Sequence, residues 1–174
     1  MTPVVTIGED AAAAMEVPPG ALVVLVGASG CGKSTFARRR FTETEIVSSD
    51  ECRRLVADDA GSQQASRDAF AVFYALLRGR LNQGRTAVAD ATHLTPWSRE
   101  KLRRIAVARG RPLVAVAFDA PLELCLARQH QRARQVPPDV VERAYALFRQ
   151  ALLELPDEGY ERVYLVRPHP EPAA

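Results

Sequence analysis

Residues Gly27-Ala28-Ser29-Gly30-Cys31-Gly32-Lys33-Ser34-Thr35 match the phosphate-binding pattern GxxxxGK[ST] at every fixed position. Glycines at 27, 30 and 32 allow the backbone to close around phosphate oxygens. Its N–H groups, with the positive end of a following helix, make an anion site. Lys33 is expected to reach the β- and γ-phosphates, and the Ser34 hydroxyl to coordinate Mg²⁺. A glycine-rich turn alone is often only a turn. Here an apolar run, Ala21 to Val26, leads into it and a helical pattern, Lys33 to Arg40, leads out. That context implies a site for a nucleoside triphosphate, with ATP and Mg²⁺ as the expected pair.

Three further groups could act on that phosphate. Val47-Ser48-Ser49-Asp50-Glu51-Cys52-Arg53-Arg54 follows a second, weaker strand candidate, Glu45–Val47. Groups at the carboxyl ends of strands surround the ligand in such sheets. Asp50 could therefore take a proton from an acceptor hydroxyl. The same residue, or Ser49, could equally cap the next helix. Arg53 falls one turn on, on the face of Asp50 if the segment is helical, and could hold an anionic acceptor group or only a surface ion pair. Asp90 ends the apolar run Thr86–Ala89 and has the layout of a carboxylate that supports Mg²⁺ or its waters; the plain alternative is a turn cap. His93, shortly after, is left without a role. Arg128, Arg132 and Arg134 form the densest basic cluster. From a mobile segment they could neutralise a transferring phosphoryl group, or they could be a solvated helix end. Trp97 and Tyr74 read as too isolated to make a base-stacking platform.

The elements that must position these residues are legible as periodicity. Continuous apolar runs at Leu22–Val26, Thr86–Ala89, Leu113–Phe118 and Val163–Val166 suit strands covered on both faces. Helical patterns lie between them. Asp68–Leu81 carries Phe70, Phe73, Leu77 and Leu81 and is closed by Gly84; Thr95-Pro96 opens another that runs toward Gly110. Pro121–Arg132 and Pro138–Leu155 follow. Alternation of strand and helix predicts an α/β fold with a doubly wound, mostly parallel sheet. Residues 1–174 read as one domain with an N-terminal segment over 1–20, a helical lid over 121–155 and a flexible tail over 167–174.

Composition narrows the class. A chain of 174 residues, 47% hydrophobic and 25% charged, can bury a core, and its net charge of +2 excludes a polycation built for indiscriminate nucleic-acid binding. Three cysteines, widely spaced and without a CxxC pair, argue against a disulfide framework or a zinc site and suit a reducing cytoplasm. No apolar stretch reaches membrane-spanning length, and the start lacks a basic secretion signal, so a cytoplasmic protein with no membrane partner is expected.

Taken together, the blocks Gly27–Ala37, Ser48–Arg53, Asp68-Ala69-Phe70, Val88–Thr92 and Arg128–Val136 resemble the kinase domain of bacterial polynucleotide 5′-kinases of RNA end-healing enzymes. The likeness runs from about Ala21 to Tyr164. It implies a P-loop NTPase fold, here without an attached phosphatase or ligase, that moves the γ-phosphate of ATP to the 5′-OH end of RNA or DNA. It further implies Asp50 as general base, Arg53 on acceptor phosphate, Lys33 and Ser34 on ATP–Mg²⁺, and Arg128 with Arg132 or Arg134 on the donor phosphates. Two departures stand out: His93 replaces the family's usual Asn, and the lid is one residue shorter between Arg132 and Arg134. The rival readings are a kinase of a small-molecule hydroxyl and a nucleotide-binding switch with residual hydrolysis.

Overall fold

A computed structural model describes residues 1–8, 15–131 and 136–168. Six strands and six α-helices run in the order β1 (Val4–Gly8), β2 (Leu22–Val26), α1 (Lys33–Arg40), β3 (Ile46–Ser48), α2 (Ser49–Ala57), α3 (Ser66–Asn82), β4 (Ala87–Asp90), α4 (Pro96–Val107), β5 (Leu113–Phe118), α5 (Leu122–His130), α6 (Pro138–Glu154) and β6 (Arg162–Arg167). All neighbouring strands pair in parallel, in the spatial order β1-β6-β5-β2-β4-β3. This is the α/β P-loop architecture that the alternation of runs predicts.

The central strands are apolar throughout because both of their faces are covered. In β2, Leu22, Val24 and Val26 pack into a core with Phe73, Leu77 and Leu102 of α3 and α4. Ala21, Val23 and Leu25 point the other way, into a core with Phe36 of α1 and Cys125 of α5. Every residue of β2 is fully buried. The three cysteines are buried free thiols. No described helix is long and apolar enough to cross a membrane.

Register sets the site. Ser48 lies opposite Asp90, so β3 and β4 end at the same level. Beside them, β2 ends at Val26 and passes directly into the glycine-rich loop. The sheet order turns outward on either side of β2, which is the switch point where α/β sheets bind ligands.

The chain termini differ from expectation in two places. The N-terminal segment contains β1, which adds to β6 through Val4↔Val163 to Gly8↔Arg167. Its Val4 and Val5 are 42% and 49% exposed, as an edge strand permits, so the run carries no both-faces burial signal. Arg167, assigned to the tail, is the last residue of β6 and pairs with Asp119 at 3.2 Å. Residues 169–174 lie outside the described residues.

Candidate active site

The loop after β2 depends on backbone that only glycine adopts readily: φ is +88° at Gly30 and +103° at Gly32. A Cβ on Gly30 would also stand 2.5 Å from the Cys125 carbonyl oxygen, so the loop is wedged against α5. Helix α1 then starts at Lys33 with no acidic residue in its first turn and no side chain capping it. Its first N–H groups are thereby left to an anion. The buried Lys33 ammonium donates to the carbonyls of Gly27 (2.9 Å) and Ala28 (2.7 Å). Gly27 in turn donates its N–H to the Thr92 carbonyl at 3.1 Å, tying the loop to the end of β4.

Asp90 is buried at that strand end, only 6% exposed. Burial raises its carboxyl pKa; a hydrogen bond with the Ser34 side chain and the charge of Lys33 oppose the rise. The two residues assigned to Mg²⁺ from sequence therefore touch. A hydroxyl and a carboxylate are the hard oxygen donors that Mg²⁺ takes, with phosphate and water oxygens completing its shell. Among the described residues no cluster of three His, Cys, Asp or Glu could hold a metal alone, so an ion here would lean on phosphate oxygens.

Helix α2 removes the capping alternative for Asp50. The cap is Ser48, whose hydroxyl accepts from Glu51 N–H; neither Ser49 nor Asp50 caps. Asp50 stands in the first turn with its side chain 64% exposed. Arg53 Nη1 donates to its Oδ1 at 2.6 Å, and Arg53 Nε donates to Ser66 Oγ at 3.3 Å. The guanidinium also lies 5.7 Å from the Phe70 ring centre, and the Arg53 side chain is 12% exposed. Arg54 turns away to Glu51.

These groups share one cavity of about 500 Å³, lined by Ser29, Gly30, Gly32, Lys33 and Ser34 of the loop together with Asp50, Arg53 and Asp90. Of the remaining loop residues, Gly27 and Ala28 serve through their carbonyls, Cys31 is buried beneath, and Thr35 faces a neighbouring groove.

A family model described as an AAA domain matches residues 22–155. The chain belongs to that family. Among solved structures it is similar to a chain of the Pnkp1/Rnl/Hen1 RNA repair complex, at 23% identity and a TM-score of 0.67 over 76% of this chain and 45% of that one. It is also similar to the AvrRxo1-ORF1:-ORF2 complex solved with ATP, at 19% identity and a TM-score of 0.63 over 84% and 52%. A protein of Chloroflexus aurantiacus j-10-fl described as a candidate kinase aligns over 87% of both chains at 16% identity, with a TM-score of 0.58. These likenesses share the fold, and the chain spans about half the length of the first two. No protein of curated function matches it. The domain has the P-loop fold of that family.

The lid side departs from the sequence reading. Arg128 is half-buried near the end of α5 and does not line the cavity. Its neighbour Gln129 does: the amide donates to Ser29 Oγ at 2.7 Å and accepts from Val136 N–H at 3.4 Å. Arg132 and Arg134 lie outside the described residues. Gln129 gave no signal in sequence, because a lone glutamine in a basic helix has no pattern of its own. His93 is structural. It sits at φ +46°, a left-handed conformation that Asn and His tolerate better than most residues, which accounts for one standing where the resembled family has the other. Its ring is 3% exposed, and burial together with the charges of Lys33 and Arg99 pushes its pKa down to about 3.

Proposed function

We propose that the domain transfers the γ-phosphoryl group of ATP to a hydroxyl, with the 5′-OH end of RNA or DNA as the acceptor. The observation that carries this reading is the shared cavity: Lys33 and Ser34 of the loop line the same space as Asp50 and Arg53.

In the reaction the acceptor oxygen attacks the γ-phosphorus as the bond to the β-phosphate oxygen breaks and ADP leaves. Asp50 takes the hydroxyl proton. A carboxylate accepts several hydrogen bonds, so the bond from Arg53 leaves lone pairs for that proton. Arg53 keeps the carboxylate oriented and offers positive charge to an acceptor phosphate. Lys33 moves from the Gly27 and Ala28 carbonyls to the β- and γ-phosphates, exchanging neutral acceptors for charged ones. Ser34 and Asp90 would hold Mg²⁺, which supplies charge neutralisation on the phosphates when bound. Gln129 braces Ser29 at the loop's mouth. Arg128, with Arg132 or Arg134, would add charge to the donor phosphates. Catalysis on this reading is positioning and electrostatics, with no covalent intermediate.

Labelled γ-phosphate transfer from ATP–Mg²⁺ to a short 5′-OH oligonucleotide tests the reading, with a 5′-phosphorylated copy as control. Labelling of the 5′-OH strand alone, lost in Asp50→Ala, is the expected result. Labelling of a small-molecule hydroxyl and of no RNA or DNA strand would overturn the polynucleotide acceptor. ATP binding with no acceptor-dependent ADP release would overturn transfer itself.

A further inference from the structure

Phe70, Ala91, Thr92 and Leu94 line the cavity of the candidate site and also an adjoining hollow of about 580 Å³. This hollow is aromatic and basic. Tyr74 of α3 and Trp97 of α4 are 23 positions apart in the chain, yet one ammonium serves both: Lys101 Nζ stands 3.9 Å from the Tyr74 ring centre and 5.2 Å from that of Trp97. The separation in sequence that made the two aromatics look isolated disappears in the fold. Trp97 is 70% exposed and Leu147 on the facing helix is 47% exposed, so a broad apolar surface meets solvent beside the site. Arg67 and Lys101 are the charged residues of the lining, His93 beneath them is held neutral, and no carboxylate joins them.

The opposite flank of Asp50 has the reverse character. There a groove of about 870 Å³ sets Arg38 against Glu43, Asp50, Glu51 and Asp90. Arg53 pairs with Asp50 and Arg54 with Glu51, which leaves Glu43 and Asp90 against Arg38 in this groove. The hollow carries two cations and no carboxylate, so the anionic body of an acceptor is drawn to the Trp97 side. Phe70 links the two compartments physically. One of its neighbours is the Arg53 guanidinium that holds Asp50, and the ring itself forms the wall to the hollow.

We propose that this hollow receives the nucleobase of the acceptor's terminal nucleoside, stacked on Trp97, while Arg67 and Lys101 attract the phosphate that follows. The inference rests on the reading of Asp50 as the base for the acceptor hydroxyl, and it names what that acceptor carries. Stacking requires a π-face and no particular hydrogen-bond pattern, so all four bases are accepted, the larger purines ahead of pyrimidines.

Trp97 is the single tryptophan of the chain, so its fluorescence reports on the hollow without interference. With ADP–Mg²⁺ saturating the donor site, titration with adenosine 3′-monophosphate is expected to quench that emission saturably, and ribose 3-phosphate is expected not to. In transfer assays, Trp97→Ala is expected to raise KM for a 5′-OH dinucleotide about tenfold, with KM for ATP unchanged and most of the loss restored in Trp97→Phe. Equal quenching by ribose 3-phosphate would overturn base recognition in favour of phosphate alone. Transfer to the dinucleotide with no quenching, or with an unaltered KM in Trp97→Ala, would overturn the hollow and leave the transferase reading standing. Saturable base-dependent quenching with no transfer to any 5′-OH acceptor would do the opposite.

Discussion

Acidification should destabilise this domain through one side chain. His93 is buried at 3% exposure, its Nε2 has no hydrogen-bond partner, and its pKa is pushed down to about 3 by burial and by the charges of Lys33 and Arg99; a hydrogen bond to the Ala89 backbone only partly opposes them. In the unfolded chain an imidazole titrates near 6.5. Between those values the unfolded state binds a proton that the native state refuses. Stability is therefore complete above about pH 6.5 and is lost as pH falls toward 3, by about 1.4 kcal/mol per unit. At pH 5 the loss is about 2 kcal/mol, a large share of the roughly 5–15 kcal/mol that holds a domain folded. With a urea dependence of about 2 kcal/mol per molar, the unfolding midpoint should drop by about 1 M between pH 7.5 and pH 5. The control is His93→Asn, which tolerates the left-handed backbone at φ +46° and cannot titrate. Urea unfolding followed by circular dichroism at both pH values, on both proteins, isolates the effect, because every other titrating group is common to the two. An equal midpoint shift in wild type and His93→Asn would refute the argument.

Five other substitutions probe the site and its supports. Asp90→Asn should cut transfer about 100-fold while holding or raising the urea midpoint at pH 7, since a carboxyl whose pKa is raised by burial costs the native state stability when ionised; a large stability loss would show the carboxylate to be structural. Arg53→Ala should raise acceptor KM about tenfold and leave KM for ATP unchanged, because its contacts are Asp50, Ser66 and Phe70 rather than the loop; an equal rise in both constants would contradict this. Arg99, fully buried, donates to Glu154, to Glu158 and to the carbonyls of His93 and Leu94, so Arg99→Ala should destabilise by about 3 kcal/mol in thermal or urea unfolding, and a change under 1 kcal/mol would dismiss the network. Gln129→Ala should raise KM for ATP about fivefold by freeing Ser29, whereas Arg128→Ala should lower kcat; an unchanged kcat would return that guanidinium to solvent.

The parts legible in sequence were those in which a residue's role follows from its neighbours in the chain. Gly27 to Thr35 form one turn between one strand and one helix, so their positions relative to each other are set locally. Strands β2 and β5 were readable to within a residue because burial on both faces removes polar residues altogether. β1 was invisible for the converse reason: an exposed edge strand gains its order by pairing with β6, far away in sequence. Ser48 as the cap of α2 was hidden by two other good capping residues directly after it.

The sequence by itself determined that the chain builds a phosphate loop at the end of a buried strand, with an acid available at the end of another. Those are consequences of short-range patterning. Only the tertiary structure decided which acid meets which hydroxyl: Ser34 and Asp90 are 56 positions apart and touch because β2 and β4 are hydrogen-bonded neighbours. It likewise decided that Gln129 braces the loop, that Arg53 stands between Asp50 and Phe70, and that Tyr74 and Trp97 share a cation. Contacts of that kind are fixed by strand order and helix packing, which a linear pattern constrains only through the whole fold at once.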